Sequence, residues 1–337
     1  MRLTFIQFIF WTWLLLPIPL GAQVVEHEQH AFTEDIPAGG YSGITWLGEN
    51  RYAVVSDNTE REGFFLFNIQ INSKGDIVSA KCMGFKGNNG QGRDNEGITW
   101  RKKTNTLFVT RERDNQVVEL NMEGKLTGRK LDIPKVFQGT TKAYGLEALT
   151  YNAATHRFWV TSESTLNGDG ERANSTNGVK NELRLQAFNE NLKPVAHYWY
   201  LMDEPECEAE MHPQRYAMGV SALTALDDGR LLVLEREFAV PQAKLGAFVN
   251  CKIYEVKPQQ NQRASSTRPK KDGFLQKKLV AEWMTAIGLL DFSIANYEGM
   301  CLGPKLPDGG QVVVLIADSQ NQYAGILSDW LKTIVIY

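Results

Sequence analysis

At 337 residues, with 43% hydrophobic and 22% charged residues, the chain has ample apolar material for a folded core and none of the bias of a disordered protein. A formal charge of −3 supplies no basic excess to draw it onto nucleic acid or an anionic membrane, so nucleic acid is not an expected partner. The sequence has no G-x-S-x-G elbow, no H-E-x-x-H and no Gly-Lys-Ser/Thr loop, which removes the common serine-hydrolase, zincin and P-loop chemistries.

Residues 1–22 read as a secretory signal: Arg2 precedes an apolar run from Phe5 to Leu20, which carries Pro17 and Pro19 and ends in Leu20-Gly21-Ala22. The run is short for a spanning helix and is followed by the polar stretch Glu26–His30, so an uncleaved anchor is the weaker alternative. The expectation is an exported protein, periplasmic or extracellular, whose folded unit is 23–337 and which has no stable membrane span once the signal is removed.

Within that unit one phrase recurs five times: Ser42-Gly43-Ile44-Thr45-Trp46, Glu96-Gly97-Ile98-Thr99-Trp100, Glu147-Ala148-Leu149-Thr150-Tyr151, Ser221-Ala222-Leu223-Thr224-Ala225 and Glu298-Gly299-Met300-Cys301-Leu302. Each is followed by a second β-rich run ending in an acid: Tyr52–Asp57, Leu107–Glu112, Phe158–Glu163, Leu231–Glu235 and Val312–Asp318. Third and fourth strands follow at Phe64–Ile71 and Ile77–Phe85, at Val117–Asn121 and Gly128–Ile133, at Leu183–Phe188 and Val195–Met202, and at Cys251–Val256 and Leu279–Met284. Turn-forming stretches such as Asn72–Asp76, Lys102–Asn105 and Glu123-Gly124 separate them. The Gln/Ser/Lys-rich segment Gln259–Lys271 reads as a solvated hairpin tip, because it lacks interleaved aromatics. The fifth unit offers only Lys332–Tyr337 as a third strand, whereas Val24–Phe32 is a strand without a unit. A fixed repeat of this size points to an all-β propeller of four-stranded blades, five in number, with the N-terminal strand completing the last. Six blades is the alternative, since the phrase spacing lengthens after residue 147.

In such a fold the first strand of each blade lines the central channel, and the second returns antiparallel beside it. Glu96, Glu147 and Glu298, with Asp57, Glu112, Glu163, Glu235 and Asp318, would then bring eight carboxylates to one mouth. Like charges so close disfavour ionisation unless cations intervene. Arg93, Arg111 and Arg236 adjoin the acids, and Ca²⁺, which takes several oxygen ligands, suits them from outside. Glu96, Glu147, Glu298, Asp57 and Asp318 are the expected metal ligands. The plainer alternative is that each acid caps the backbone of a neighbouring blade. Asn167–Glu171 has the oxygen density of a calcium loop but not the EF-hand spacing, so a turn is expected there. Of the four cysteines, Cys207 and Cys251 are the expected disulfide, with Cys82 and Cys301 buried in strands.

The phrases E-G-I-T-W, G-L-E-A-L-T, G-V-S-A-L and Y-E-G-M, with F-W-V-T-S-E-S and L-L-V-L-E-R-E, resemble the phytase-like family called esterase-like activity of phytase, over nearly the whole of 23–337. The resemblance implies an exported bacterial propeller-like protein that hydrolyses phosphate or other esters and, by analogy with alkaline phytases, depends on a divalent cation such as Ca²⁺. It supplies no catalytic residues position by position. On this reading Glu96, Glu147 and Arg111 are catalytic, Arg93 and Arg236 bind a small-molecule ester substrate, and the cation lies among the acids. Two other functions remain open: a non-catalytic envelope propeller binding a glycan, lipid or protein, and a lactone or sugar-acid hydrolase.

Overall fold

The computed structural model describes residues 23–88, 94–139, 144–265, 268–269, 273–289 and 292–337; the predicted signal at 1–22 and Arg93 lie outside them. Two short strands come first, β1 (Val24–Glu26) and β2 (His30–Ala31). Blade one follows with β3 (Tyr41–Gly48), β4 (Arg51–Ser56), β5 (Glu62–Ile71) and β6 (Ile77–Asn88), and blade two with β7 (Asn95–Arg101), β8 (Thr106–Arg111), β9 (Gln116–Leu120) and β10 (Leu126–Lys130). Blade three has β11 (Leu146–Asn152), β12 (Arg157–Ser162), β13 (Glu182–Phe188) and β14 (Pro194–Leu201). Blade four has β15 (Arg215–Ala225), β16 (Leu231–Val240), β17 (Phe248–Val256) and β18 (Lys277–Ala286), and blade five β19 (Asn296–Lys305), β20 (Gln311–Asp318) and β21 (Trp330–Ile336). Each blade is an antiparallel meander whose first strand lies at one edge. Among the described residues no helix is long and apolar enough to cross a membrane.

The core lies between blades rather than within one. Five clusters of buried side chains join blades one and two, two and three, three and four, four and five, and five and one, so the sheets close a ring. At the closing seam, Tyr52, Val54 and Phe67 pack with Val312, Val314 and Val335. Each fully buried side chain of this size contributes on the order of 1.5–3 kcal/mol. The ring is completed as the sequence predicts: Val24, Val25 and Glu26 pair with Ile336, Val335 and Ile334, and His30 and Ala31 pair with Leu331 and Trp330. Five blades account for the described strands. The longer spacing beyond residue 147 comes from the connections 163–181 and 202–214 and from the excursion at 257–276, not from a further blade.

The repeated phrase has a separate reason at each position. Its first residue is a β-bulge in every blade, because the register slips by one residue at Ser42, at Glu96–Gly97, at Glu147, at Ser221 and at Glu298. A bulge leaves one residue unpaired and re-aims its side chain. The second residue must be small because the next inner strand passes against it: a Cβ on Gly43 would lie 2.1 Å from the Glu96 carbonyl oxygen, and one on Gly97 2.7 Å from that of Glu147. The threonine ties neighbouring inner strands together. Thr45, Thr99 and Thr150 accept the N–H of Trp100, Tyr151 and Ala225 at 3.3, 3.0 and 3.1 Å, and Thr224 donates to the Met300 carbonyl at 2.9 Å. In blade five Cys301 takes the threonine's place, and the Trp46 N–H lies against its sulfur.

One expectation is corrected. All four cysteines are free. Cys251 lies in the core between blades four and five, whereas Cys207 packs on Ala239 and Phe248, so they belong to different clusters. The segment after Gln259 is largely exposed in its described part, as expected, and it also folds back on blade three: Ala264 N–H donates to the His197 carbonyl, Arg268 pairs with Glu182, and Phe274 bridges Trp199. Within Asn167–Glu171 the expected turn is present, closed by the Asp169 N–H on the Leu166 carbonyl at 3.0 Å, and the Asp169 side chain is engaged by Arg184 at 2.6 and 2.7 Å.

Candidate metal centre

The bulges and strand ends together bring seven carboxylates to one end of the channel. Glu96, Glu147 and Glu298 project from the bulges of blades two, three and five; one ligand atom from each lies within 4.8 Å of those of the other two. Glu112 and Glu163 join Glu147 in a second triangle with the same 4.8 Å limit. Asp57 and Asp318, at the corresponding ends of β4 and β20, both lie against Gly40 at the ring seam. Ser42 and Ser221 hold the bulge in blades one and four.

The fourth blade breaks the acidic pattern, and register explains how. Its strand end differs by one residue from the reading that aligns Glu235 with the other acids: Glu235 lies opposite Val220 and Arg236 opposite Gly219, so Arg236 holds the place of Asp57, Glu112, Glu163 and Asp318. A one-residue offset turns a side chain to the other face of a sheet. Glu235 therefore leaves the mouth for a network with Tyr200 at 2.6 Å and Lys277 at 2.6 Å. Arg236 is almost wholly buried and spans the cluster, donating to Glu163 at 2.5 Å, Glu298 at 3.0 Å and Asn296 at 2.8 Å. It is an internal counter-ion rather than an open substrate clamp. Arg111 corresponds to Glu235, not to Arg236; its guanidinium goes to Glu62 at 3.1 Å and Asp114 at 2.7 Å, away from the catalytic place expected of it.

Burial is the main force on these acids, and their mutual repulsion adds to it. Glu96, Glu147 and Asp318 are pushed well above the usual carboxylate range by burial and by their acidic neighbours. Asp57 is pushed up to about 7 by burial, with Glu298 and Asp94 adding to the shift. Glu112 also rises to about 7 through burial, against a lowering hydrogen bond from the Gly145 N–H. Glu163 and Glu298 are raised by burial and partly restored by Arg236.

A divalent cation with oxygen ligands fits this arrangement. The Glu147 side chain accepts no hydrogen bond among the described residues, and Asp57 Oδ1 and Asp318 Oδ2 are buried without one. Such orphaned acceptors are costly to bury and are the donors a hard cation takes. Beside Glu163 a cavity of about 400 Å³ is lined by Tyr144, Ser164, Arg172, Thr176, Tyr216 and Met218. Arg172 stacks 4.5 Å from the Tyr144 ring centre, and its charge reaches Glu163. Nothing in the local pattern around Arg172 marks it, because it sits in the insertion between β12 and β13 rather than in the repeat.

Residues 36–320 match the profile of the family described as Phytase-like, esterase-like activity of phytase. The chain belongs to that family. No protein of curated function matches this Phytase-like chain in sequence. Among solved structures it is similar to a luciferin-regenerating enzyme (9% identity, TM-score 0.44, covering 94% of this chain and 97% of that one) and to the endo-arabinase from Bacteroides thetaiotaomicron (11% identity, TM-score 0.44, 90% and 95%). A streptogramin B lyase matches at 10% identity with a TM-score of 0.37, covering 93% and 98%.

Proposed function

We infer that this Phytase-like protein is an exported, metal-assisted ester hydrolase, with phosphate esters as its substrate class. The observation that carries the reading is the buried triangle of Glu96, Glu147 and Glu298, whose ligand atoms lie within 4.8 Å of one another. Three carboxylates from three blades would hold a divalent cation such as Ca²⁺. When bound, the cation supplies charge neutralisation at the ester oxygen and acidifies water.

The remaining roles fall to the chain. Asp57 and Asp318, whose Oδ1 and Oδ2, respectively, are buried without a partner, would add oxygen ligands beside that cation. Arg172, held on Tyr144 at the lip of the neighbouring cavity, would turn positive charge toward an anionic ester there, and Tyr216 and Met218 would flank its leaving group. The signal-like character of residues 1–22 supports export.

Turnover of a chromogenic phosphate ester with Ca²⁺, Mg²⁺ or Mn²⁺ tests the reading. Glu96→Gln keeps the size of the side chain and removes its charge, so it should lose nearly all metal-dependent turnover while remaining folded. Glu123→Gln, at an exposed residue 3.8 Å from Lys86, should retain it. Wild-type protein inactive with every metal, or Glu96→Gln fully active, would overturn the assignment.

A further inference from the structure

The acids at the mouth form two triangles that share one corner. Glu96, Glu147 and Glu298 make the first, and Glu112, Glu147 and Glu163 the second; within each, the ligand atoms lie no more than 4.8 Å apart. We propose that the second triangle binds a second divalent cation, with the Glu147 carboxylate bridging the two ions. The proposal rests on the reading that the first triangle is itself a cation site.

Three observations carry it beyond the presence of acids. Glu147 is buried, offers a ligand atom within 4.8 Å of the other two corners of each triangle and accepts no hydrogen bond among the described residues, so the described protein groups leave its oxygens to a cation. The other two corners are fixed from outside the triangle. Glu112 sits in the short turn after β8, where its Oε1 accepts the Gly145 N–H at 2.7 Å. Glu163 is gripped by Arg236 and has room only because residue 219 is glycine: a Cβ there would lie 2.4 Å from Glu163 Cγ. Held in this way, each residue keeps oxygen capacity toward the centre, since a carboxylate has about four acceptor positions and each of these two spends few of them.

Charge argues the same way. Among the described residues seven carboxyl groups gather at this mouth, and Arg236 touches one member of each triangle, Glu298 in the first and Glu163 in the second. With all seven ionised, one divalent ion and Arg236 would offset only three of the negative charges. An ion in the first triangle, bound about 2.3–2.6 Å from its oxygens, would leave Glu112 and Glu163 to repel each other and Glu147. A second ion beyond Glu147 answers that repulsion directly, and a single bridging carboxylate sets two ions about 3.5–4 Å apart, the separation of two-metal hydrolytic sites.

Stoichiometry decides the matter without recourse to activity. Chelator-stripped full-length protein is titrated with Ca²⁺ by calorimetry, and bound metal is counted by elemental analysis after equilibrium dialysis. Wild type should bind two ions per chain. Glu112→Gln, which retains an acceptor for the Gly145 N–H, should bind one, as should Glu163→Gln; Glu147→Gln should weaken both sites by at least tenfold. Native circular dichroism of each variant excludes unfolding as the cause. One ion per chain in wild type, or two still bound by both Glu112→Gln and Glu163→Gln, overturns the second site alone. No ion bound by wild type overturns this site and the proposed function together.

Discussion

Replacing Arg236 by methionine tests whether the acid ring is held by the buried guanidinium that spans it. The side chain is 3% exposed and makes three charge-bearing hydrogen bonds, to Glu163, Glu298 and Asn296. Removing one partner of a buried ion pair costs about 3–5 kcal/mol, because the remaining charge stays desolvated. At roughly 2.1 cal/mol/K per residue, a folded unit of 23–337 has an unfolding entropy near 0.65 kcal/mol/K, so 1 kcal/mol moves Tm by about 1.5 °C. Arg236→Met should therefore lower Tm by about 5–8 °C in chelator at pH 8.

The pH dependence separates this mechanism from simple loss of packing. Without Arg236, the folded-state values of Glu163 and Glu298, already raised by burial, rise further above those of the unfolded chain. A raised carboxylate stabilises the fold below its unfolded value, and that contribution disappears as pH rises through the folded value. The deficit of the variant should thus be large at pH 8 and shrink to less than half at pH 5, where protons replace the guanidinium. Differential scanning calorimetry of both proteins at the two pH values is the assay. An equal deficit at pH 5 and pH 8 would refute the charge argument, and no deficit at either would show that Arg236 is not a counter-ion.

Deleting residues 23–33 removes β1 and β2 from the edge of β21, together with the Lys332 bond to the His27 carbonyl at 2.7 Å, and should lower Tm by more than about 5 °C; an unchanged melting curve would show that the seam closes without them. Thiol titration of the denatured, unreduced protein should return four reactive thiols per chain, and two would restore the disulfide excluded by the free state of every cysteine.

Much of the ring was legible because each blade repeats the same solution to the same contacts. Glycine or alanine follows the bulge where the next inner strand approaches, and threonine recurs where that strand offers a backbone group to bond. These are local demands, so they leave a local trace. The acids at the bulges are legible for the same reason: Glu96, Glu147 and Glu298 stand at one position of one phrase, and they come together. What fails is alignment by type rather than by register. Glu235 ends an apolar run as the other acids do, yet it lies one residue short of the mouth, and the basic residue beside it occupies the shared place. Arg111 misleads for the same reason, since Thr110, the residue before it, faces the inner strands and bonds the Glu147 carbonyl. The cysteine pairing and Arg172 depend on loops between blades, where no repeat constrains the sequence.

Closure of the ring by β1 and β2 also sets the order in which this site can come into being. These strands have no partner until β21 is present, so contacts separated by some 300 positions in sequence must form before the seam is sealed. Pairings of such range raise the contact order and slow folding. The acid ring spans the same seam: Glu96 and Glu147 come from the second and third blades, Glu298 from the fifth, and Asp57 and Asp318 flank the join. No fragment that ends before β19 contains Glu298, so an unfinished chain cannot assemble the first triangle. The triangle of carboxylates is therefore a late product of folding, completed only once the last blade has joined the ring.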